Sequence, residues 1–110
     1  MALYKIMSGV HRSVAAREAG LNAILAQIEE DGSVVGVRVL PLTTLFTTKE
    51  SISRWDRTWD FHDLIAITKT VEGRAKLPPI FVEAITVKHS AKLTPLMEVK
   101  VLDDTEEKAS

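Results

Sequence analysis

The fold expected from this sequence is decided by residues 13–32, SVAAREAGLNAILAQIEEDG. Ser13 is a typical helix N-cap, and Gly32 is a typical glycine just past the end of a helix. Between them the large apolar residues recur at the spacing of an amphipathic helix: Val14, Leu21, Ile24, Leu25 and Ile28. The stretch therefore predicts one unbroken helix over residues 13–30, with its apolar face packed on a sheet.

The flanking segments read as strands. Residues 2–8, ALYKIMS, alternate between two faces, of which one is expected to be buried. Residues 33–42, SVVGVRVLPL, carry valines at alternate positions and end near Pro41. The chain is thus expected to start β-α-β, with a right-handed crossover if the two strands are parallel. The core is expected between the helix and the valines of the second strand: Val35, Val37 and Val39.

The rest of the chain predicts a short second helix and then strands. Thr47 and Glu50 stand at capping-box spacing, which favours a helix over residues 48–59. Beyond it the apolar period changes to two, which predicts an antiparallel three-stranded meander formed by residues 63–71, 79–88 and 95–102. The expected fold is therefore a single α+β domain over residues 1–102 with a helix packed on one sheet face. Residues 103–110, DDTEEKAS, are expected to be a disordered acidic tail.

Composition excludes several functions. The 110 residues include no cysteine, which excludes disulfides, thiolate nucleophiles and cysteine-ligated metal centres. The formal net charge of -1 gives no overall attraction to nucleic acid or to anionic lipid. No segment approaches the roughly 20 apolar residues that span a bilayer. Without a recognisable signal peptide, the expected location is the cytoplasm, with no membrane partner.

An aromatic and basic segment is the most unusual feature of the sequence. Both tryptophans and one phenylalanine lie within residues 54–63, RWDRTWDFHD. Rings beside arginines are typical of protein-interface hot spots and of single-stranded nucleic-acid sites. The helical spacing equally fits two tryptophans docked in the core. The candidate partner-binding residues are Arg54, Trp55, Arg57, Trp59 and Phe61.

Catalytic and metal-binding signals are weak. Asp60, His62 and Asp63 could form a small hard-metal site or an acid–base centre, and the alternative is that Asp60 caps the following segment. No nucleophile elbow, zinc-protease motif or phosphate-binding glycine loop occurs. The sequence therefore favours a protein without catalytic residues, resident metal or cofactor.

Two further surfaces are candidates for binding. On an unbroken helix, four alanines would lie roughly opposite the apolar face and would permit close packing of a second copy: Ala15, Ala19, Ala23 and Ala26. They could equally be exposed residues of high helix propensity. Arg74 and Lys76, in a predicted connection between strands, could contact phosphate or an acidic surface.

These observations favour a small non-enzymatic interaction module that forms a homo-oligomer and binds a protein partner. The first alternative is a single-stranded nucleic-acid-binding protein that uses the Trp/Arg segment, residues 54–59. The second is a small hydrolase-like enzyme centred on His62.

Overall fold

The structure is a computed structural model that describes residues 2–48, 60–86 and 92–101. In chain order the strands are β1 (Tyr4–Ser8), β2 (Ala23–Glu30), β3 (Ser33–Pro41), β4 (Leu45–Thr47), β5 (Ile80–Ala84) and β6 (Thr94–Pro95). The α-helices within these ranges are α1 (Val10–Glu18), α2 (Phe61–Thr68) and α3 (Val71–Ala75). Short 3-10 turns at Leu42–Thr44 and Leu96–Glu98 follow β3 and β6.

The described strands form one mixed six-stranded sheet in the order β3-β2-β5-β1-β4-β6. β1 pairs parallel with β4, and β2 pairs parallel with β5. The remaining neighbours, β1 with β5, β2 with β3 and β4 with β6, are antiparallel. A small α+β domain was expected and is confirmed. The antiparallel three-stranded meander was wrong, because the sheet is larger and mixed.

The unbroken helix over residues 13–30 was also wrong, because α1 ends at Glu18. Gly20 has a φ of 87°, the left-handed conformation that glycine adopts most easily. The backbone N–H of Gly20 donates to Arg17 O at 3.0 Å, and the N–H of Leu21 donates to Ala16 O at 3.0 Å. These two bonds are the Schellman arrangement that terminates helices.

The second half of the expected helix is instead a strand. β2 pairs antiparallel with β3 from Ala23 opposite Pro41 to Glu30 opposite Ser33. The turn between them is Asp31-Gly32, with φ values of 51° and 82°. Positive φ at both positions is the signature of the type I′ hairpin turn, for which Asp-Gly is a favoured sequence. The β-α-β start differs from the expected one, because β2 follows α1 and runs antiparallel to β1. The expected second strand, β3, does run in the same direction as β1, but β2 and β5 lie between them.

The predictions for the first strand and for the later segments are confirmed only in part. A strand at residues 79–88 is confirmed over Ile80–Ala84, and the first strand is confirmed at Tyr4–Ser8. Residues 63–71 are helical instead of extended, and residues 95–102 begin with a two-residue strand that passes into a 3-10 turn. Most of the expected helix at 48–59, and the expected tail at 103–110, lie outside the described residues.

The core lies between α1 and one face of the sheet. Its central members come from every major strand and from the helix: Ile6, Val10, Val14, Ala26, Leu40, Leu45, Ile80 and Val82. Tyr4 and Ile6 are buried while Leu3 and Met7 are exposed, as the alternation in β1 predicts. The valines of β3 were expected in the core, but Val35, Val37 and Val39 are all more than half exposed. In β3 it is Leu40 that packs inward.

Candidate functional site

Of the five candidate partner-binding residues, Phe61 alone lies within the described ranges. Arg54, Trp55, Arg57 and Trp59 lie outside the described residues. Phe61 is the first residue of α2, and its ring stacks on His11 of α1 with centroids 5.2 Å apart and planes 13° apart. This half-buried ring packs against the core. Within the structure Phe61 therefore joins two helices, and its role toward a partner stays a prediction.

The four alanines do not share a helix face. Ala15 is fully buried in α1, and Ala19 is the residue at the C-terminal cap of that helix. Ala23 and Ala26 belong to β2, where Ala26 is also fully buried. The arrangement on which helix-mediated self-association was based is therefore missing, although self-association itself stays a prediction.

The Asp60–Asp63 cluster caps a helix. Asp60 Oδ1 accepts hydrogen bonds from the backbone N–H of His62 at 2.9 Å and of Asp63 at 3.2 Å. The carboxylate thereby satisfies two of the free N–H groups at the start of α2. Across residues 2–48, 60–86 and 92–101, no three histidine, aspartate or glutamate side chains are grouped so that they could hold a metal ion. The capping alternative for Asp60 is confirmed.

A pocket of about 570 Å³ lies between the start of β2, the end of β3 and the connection from α2 to α3. Its apolar members are Leu21, Ala23, Ile24, Leu25, Val39, Val71, Ala75, Leu77 and Pro78. Leu25 and Val39 are direct cross-strand partners and form one wall. Leu25 is 46% exposed, Val39 65% and Val71 73%, so the wall and the rim present large apolar surface to solvent.

No protein-family model, curated protein or solved structure matches this chain.

Among the described residues of the pocket lining, Arg12 and Arg74 are the charged ones and none is acidic. Arg12 Nη2 donates to Pro79 O at 3.2 Å, and Arg74 Nη1 donates to Thr68 O at 3.1 Å. Each guanidinium therefore donates to a backbone carbonyl that helps to fix its position. Within the described residues Arg74 has no carboxylate partner. A planar cation fixed beside an apolar cavity is suited to bind a carboxylate or phosphate.

The α2–α3 connection positions Arg74. Thr68 Oγ1 donates back to Leu64 O at 2.6 Å as α2 ends. Thr70 then caps α3, because its Oγ1 accepts from the backbone N–H of Gly73 at 2.9 Å. Gly73 packs so closely on α2 that an added Cβ would collide with the carbonyl oxygen of Ile67. This tight corner places Arg74 over the end of α2, where its guanidinium reaches Thr68 O.

The sequence identified part of this site. Arg74 was selected as an anion contact and lies in the pocket lining, whereas Lys76 is an exposed residue at the C-terminal cap of α3 and is not part of the lining. Arg12, Leu25 and Val39 were not selected. The Asp31-Gly32 turn was the available signal for the last two, because a hairpin there places Leu25 opposite Val39.

One further finding concerns the helices. Within the described parts of the chain, each helix is too short or too polar to cross a lipid bilayer.

Proposed function

We propose that this protein is a non-enzymatic binding module and that the pocket described above receives a segment of a partner protein. The segment would place one or two large apolar side chains in the cavity and a carboxylate near Arg74. The observation that carries the proposal is the composition of the lining, in which the described residues are mostly apolar, include Arg74 and contain no acid. A partner with the complementary composition is an acidic peptide with aromatic or branched aliphatic residues.

The size of the pocket supports this class of ligand. A volume of about 570 Å³ falls within the range of about 300–1,000 Å³ typical of ligand sites in proteins. Such a cavity can accommodate a pair of apolar side chains. The exposed side chains of Leu25 and Val39 in the wall and of Val71 at the rim would lose contact with water when a peptide lies across them. Burial of apolar surface and a charge-assisted hydrogen bond would then act together.

The alternative functions receive no comparable support from the described residues. Single-stranded nucleic-acid binding depends on residues 54–59, which lie outside them. An enzyme centred on His62 would require Asp60 or Asp63 to orient the imidazole, whereas the Asp60 carboxylate accepts from two backbone N–H groups. The pocket is therefore the stronger basis for a proposal.

Selection from a displayed library of random heptapeptides on the purified full chain tests the proposal. We expect enrichment of peptides that combine aspartate or glutamate with phenylalanine, leucine or isoleucine. The selected peptide, synthesised with a fluorophore, should lose affinity when its acids are replaced by the corresponding amides. Enrichment of basic peptides, or no enrichment, would contradict the proposal.

Matched variants locate the binding site. Arg74→Gln should weaken binding of the selected peptide by about 10- to 100-fold, the range expected from losing one hydrogen bond to a charged group. Lys69→Gln removes the same charge from an exposed residue that follows α2 but is not in the lining, and should leave the affinity unchanged. Val71→Asp introduces a carboxylate at the rim and should abolish binding. If Arg74→Gln and Val71→Asp both bind like the wild type, the pocket is not the site.

A further inference from the structure

β3 is a long apolar strand at one edge of the described sheet. It has nine residues and pairs with β2 on one side only, whereas β6, at the opposite edge, has two residues, one of them Pro95. Short strands and prolines protect sheet edges from pairing with other chains. The valines of β3 are all at least half exposed, from 51% for Val34 to 65% for Val39. One edge is therefore protected, and the other has the properties of a pairing surface.

The backbone register shows which groups this edge offers. Leu42 N donates to Asn22 O at 2.9 Å, one residue beyond the paired Ala23 and Pro41. Hydrogen-bonded and non-hydrogen-bonded pairs alternate along antiparallel strands. Leu40 and Arg38 therefore bond to β2, while the N–H and C=O groups of Val37 and Val39 point away from β2.

We propose that two copies of this chain associate through antiparallel pairing of their β3 strands, with Val37 at the twofold axis. β3 spans Ser33–Pro41, so Val37 is its midpoint. Each Val37 would exchange both backbone hydrogen bonds with Val37 of the second copy. Gly36 would lie opposite Arg38 of the second copy. An isologous interface of this kind is the commonest arrangement in homodimers.

Charge favours the antiparallel arrangement and this register. The hairpin tip is acidic, with Glu29, Glu30 and Asp31. Antiparallel pairing about Val37 keeps the two acidic tips at opposite ends of the paired strands. Parallel pairing would bring the tips together. Moving the axis to Arg38 would place the two arginines directly opposite each other, which is destabilising.

The bulge in β3 leaves the proposed axis regular. Ile28 lies opposite Gly36 and Glu29 lies opposite Val34, so Val35 is the extra residue of the bulge. From Gly36 to Pro41 the ladder is continuous, so Val37 and Val39 keep the alternation that pairing requires. The dimer proposal uses the strand edge and its backbone, and it does not depend on what occupies the pocket.

Sedimentation equilibrium of the full chain over about 1 µM to 1 mM tests the proposal, because affinities in this range are directly resolved. The wild type should change from monomer to dimer across the range. Val37→Pro removes a backbone donor that does not bond to β2, so the fold should persist while the dimer dissociation constant rises by about 50-fold. A wild-type mass that stays monomeric, or a Val37→Pro dimer as stable as the wild type, would overturn the proposal.

A lysine variant separates loss of pairing from loss of folding. Val37→Lys places two ammonium groups opposite each other at the axis, so its dimerisation should weaken at low salt and partly recover at high salt. Met97→Lys is the matched control, because Met97 is 50% exposed and lies in the 3-10 turn that follows β6, the strand at the opposite edge. It should dimerise like the wild type. Equal weakening by both substitutions would count against the β3 edge.

Cysteine scanning tests the register, since the chain has no cysteine of its own. A short bifunctional thiol reagent should cross-link Val37→Cys efficiently with itself. A mixture of Gly36→Cys and Arg38→Cys should cross-link more efficiently than either variant alone. Cross-linking of Arg38→Cys predominantly with itself would contradict the axis at Val37.

Discussion

Replacing Gly20 by alanine distinguishes a helix that ends at Gly20 from one that continues to residue 30. The two structures predict changes of opposite sign in the free energy of unfolding. In the structure Gly20 has a φ of 87° and ends α1. An alanine held in the left-handed region costs about 1–2 kcal/mol. Alanine also lowers the conformational entropy of the unfolded chain, which offsets about 0.4–1 kcal/mol of this cost. Nothing lies within 4 Å of an added Cβ at this position, so no steric cost adds to this. The free energy of unfolding should therefore fall by about 1 kcal/mol.

Inside a continuous helix the same substitution would raise the free energy of unfolding by about 1 kcal/mol. Urea denaturation followed by circular dichroism resolves this difference, and the melting temperature should fall by about 4 °C for a chain of this length. Gly20→Asn is the matched control, because asparagine tolerates the left-handed conformation and should cost less than alanine. A stabilised Gly20→Ala variant would refute the broken helix and the hairpin that follows it.

Three further substitutions test the packing of α2 and α3 by urea denaturation. Gly73→Ala would bring a methyl group into the carbonyl oxygen of Ile67 and should lower the free energy of unfolding by about 2–3 kcal/mol; an unchanged midpoint would contradict the tight corner. Asp60→Ala should cost about 1 kcal/mol through loss of the N-cap, whereas Asp60→Asn should be nearly neutral. Phe61→Ala removes the ring stacked on His11 and should cost about 2 kcal/mol, roughly half of the value for a fully buried ring.

The error at residues 13–30 has a specific physical origin. Ile24, Ala26 and Ile28 alternate as strand residues do, while Leu21, Ile24, Leu25 and Ile28 also fit a helical period. The apolar pattern alone therefore does not separate the two structures. Two glycines do, because Gly20 terminates a helix and Gly32 follows Asp31 in a hairpin turn. These glycines were interpreted as a helix interior and a helix end.

Residues 63–71 show the opposite error. A helix was missed because its short apolar run was compatible with period two, although Asp60 was recognised as a possible cap of the following segment. Its hydrogen bonds to the N–H groups of His62 and Asp63 are those of an N-cap. β1 and β5 were predicted correctly because their alternation matches a strand buried on one face.

The pocket could be anticipated only in part. Arg74 was selected for its charge, but its neighbours come from distant parts of the chain. Arg12 reaches Pro79, 67 residues away in sequence, through a side-chain hydrogen bond. Leu25 and Val39 join the site only once the hairpin is recognised. Contacts of this kind follow from the strand order, which no local pattern specifies.

The position of β5 has a consequence for the order in which the molecule assembles. It lies between β2 and β1, yet it is made only after residue 79. During synthesis the β2–β3 hairpin can close at once, whereas β1 and β2 have to wait for the strand that separates them. Sheets that rely on such distant pairings fold slowly. A nascent chain arrested on the ribosome before Ile80 should therefore be readily cut by proteases, and protection should arise abruptly once Ala84 has left the exit tunnel.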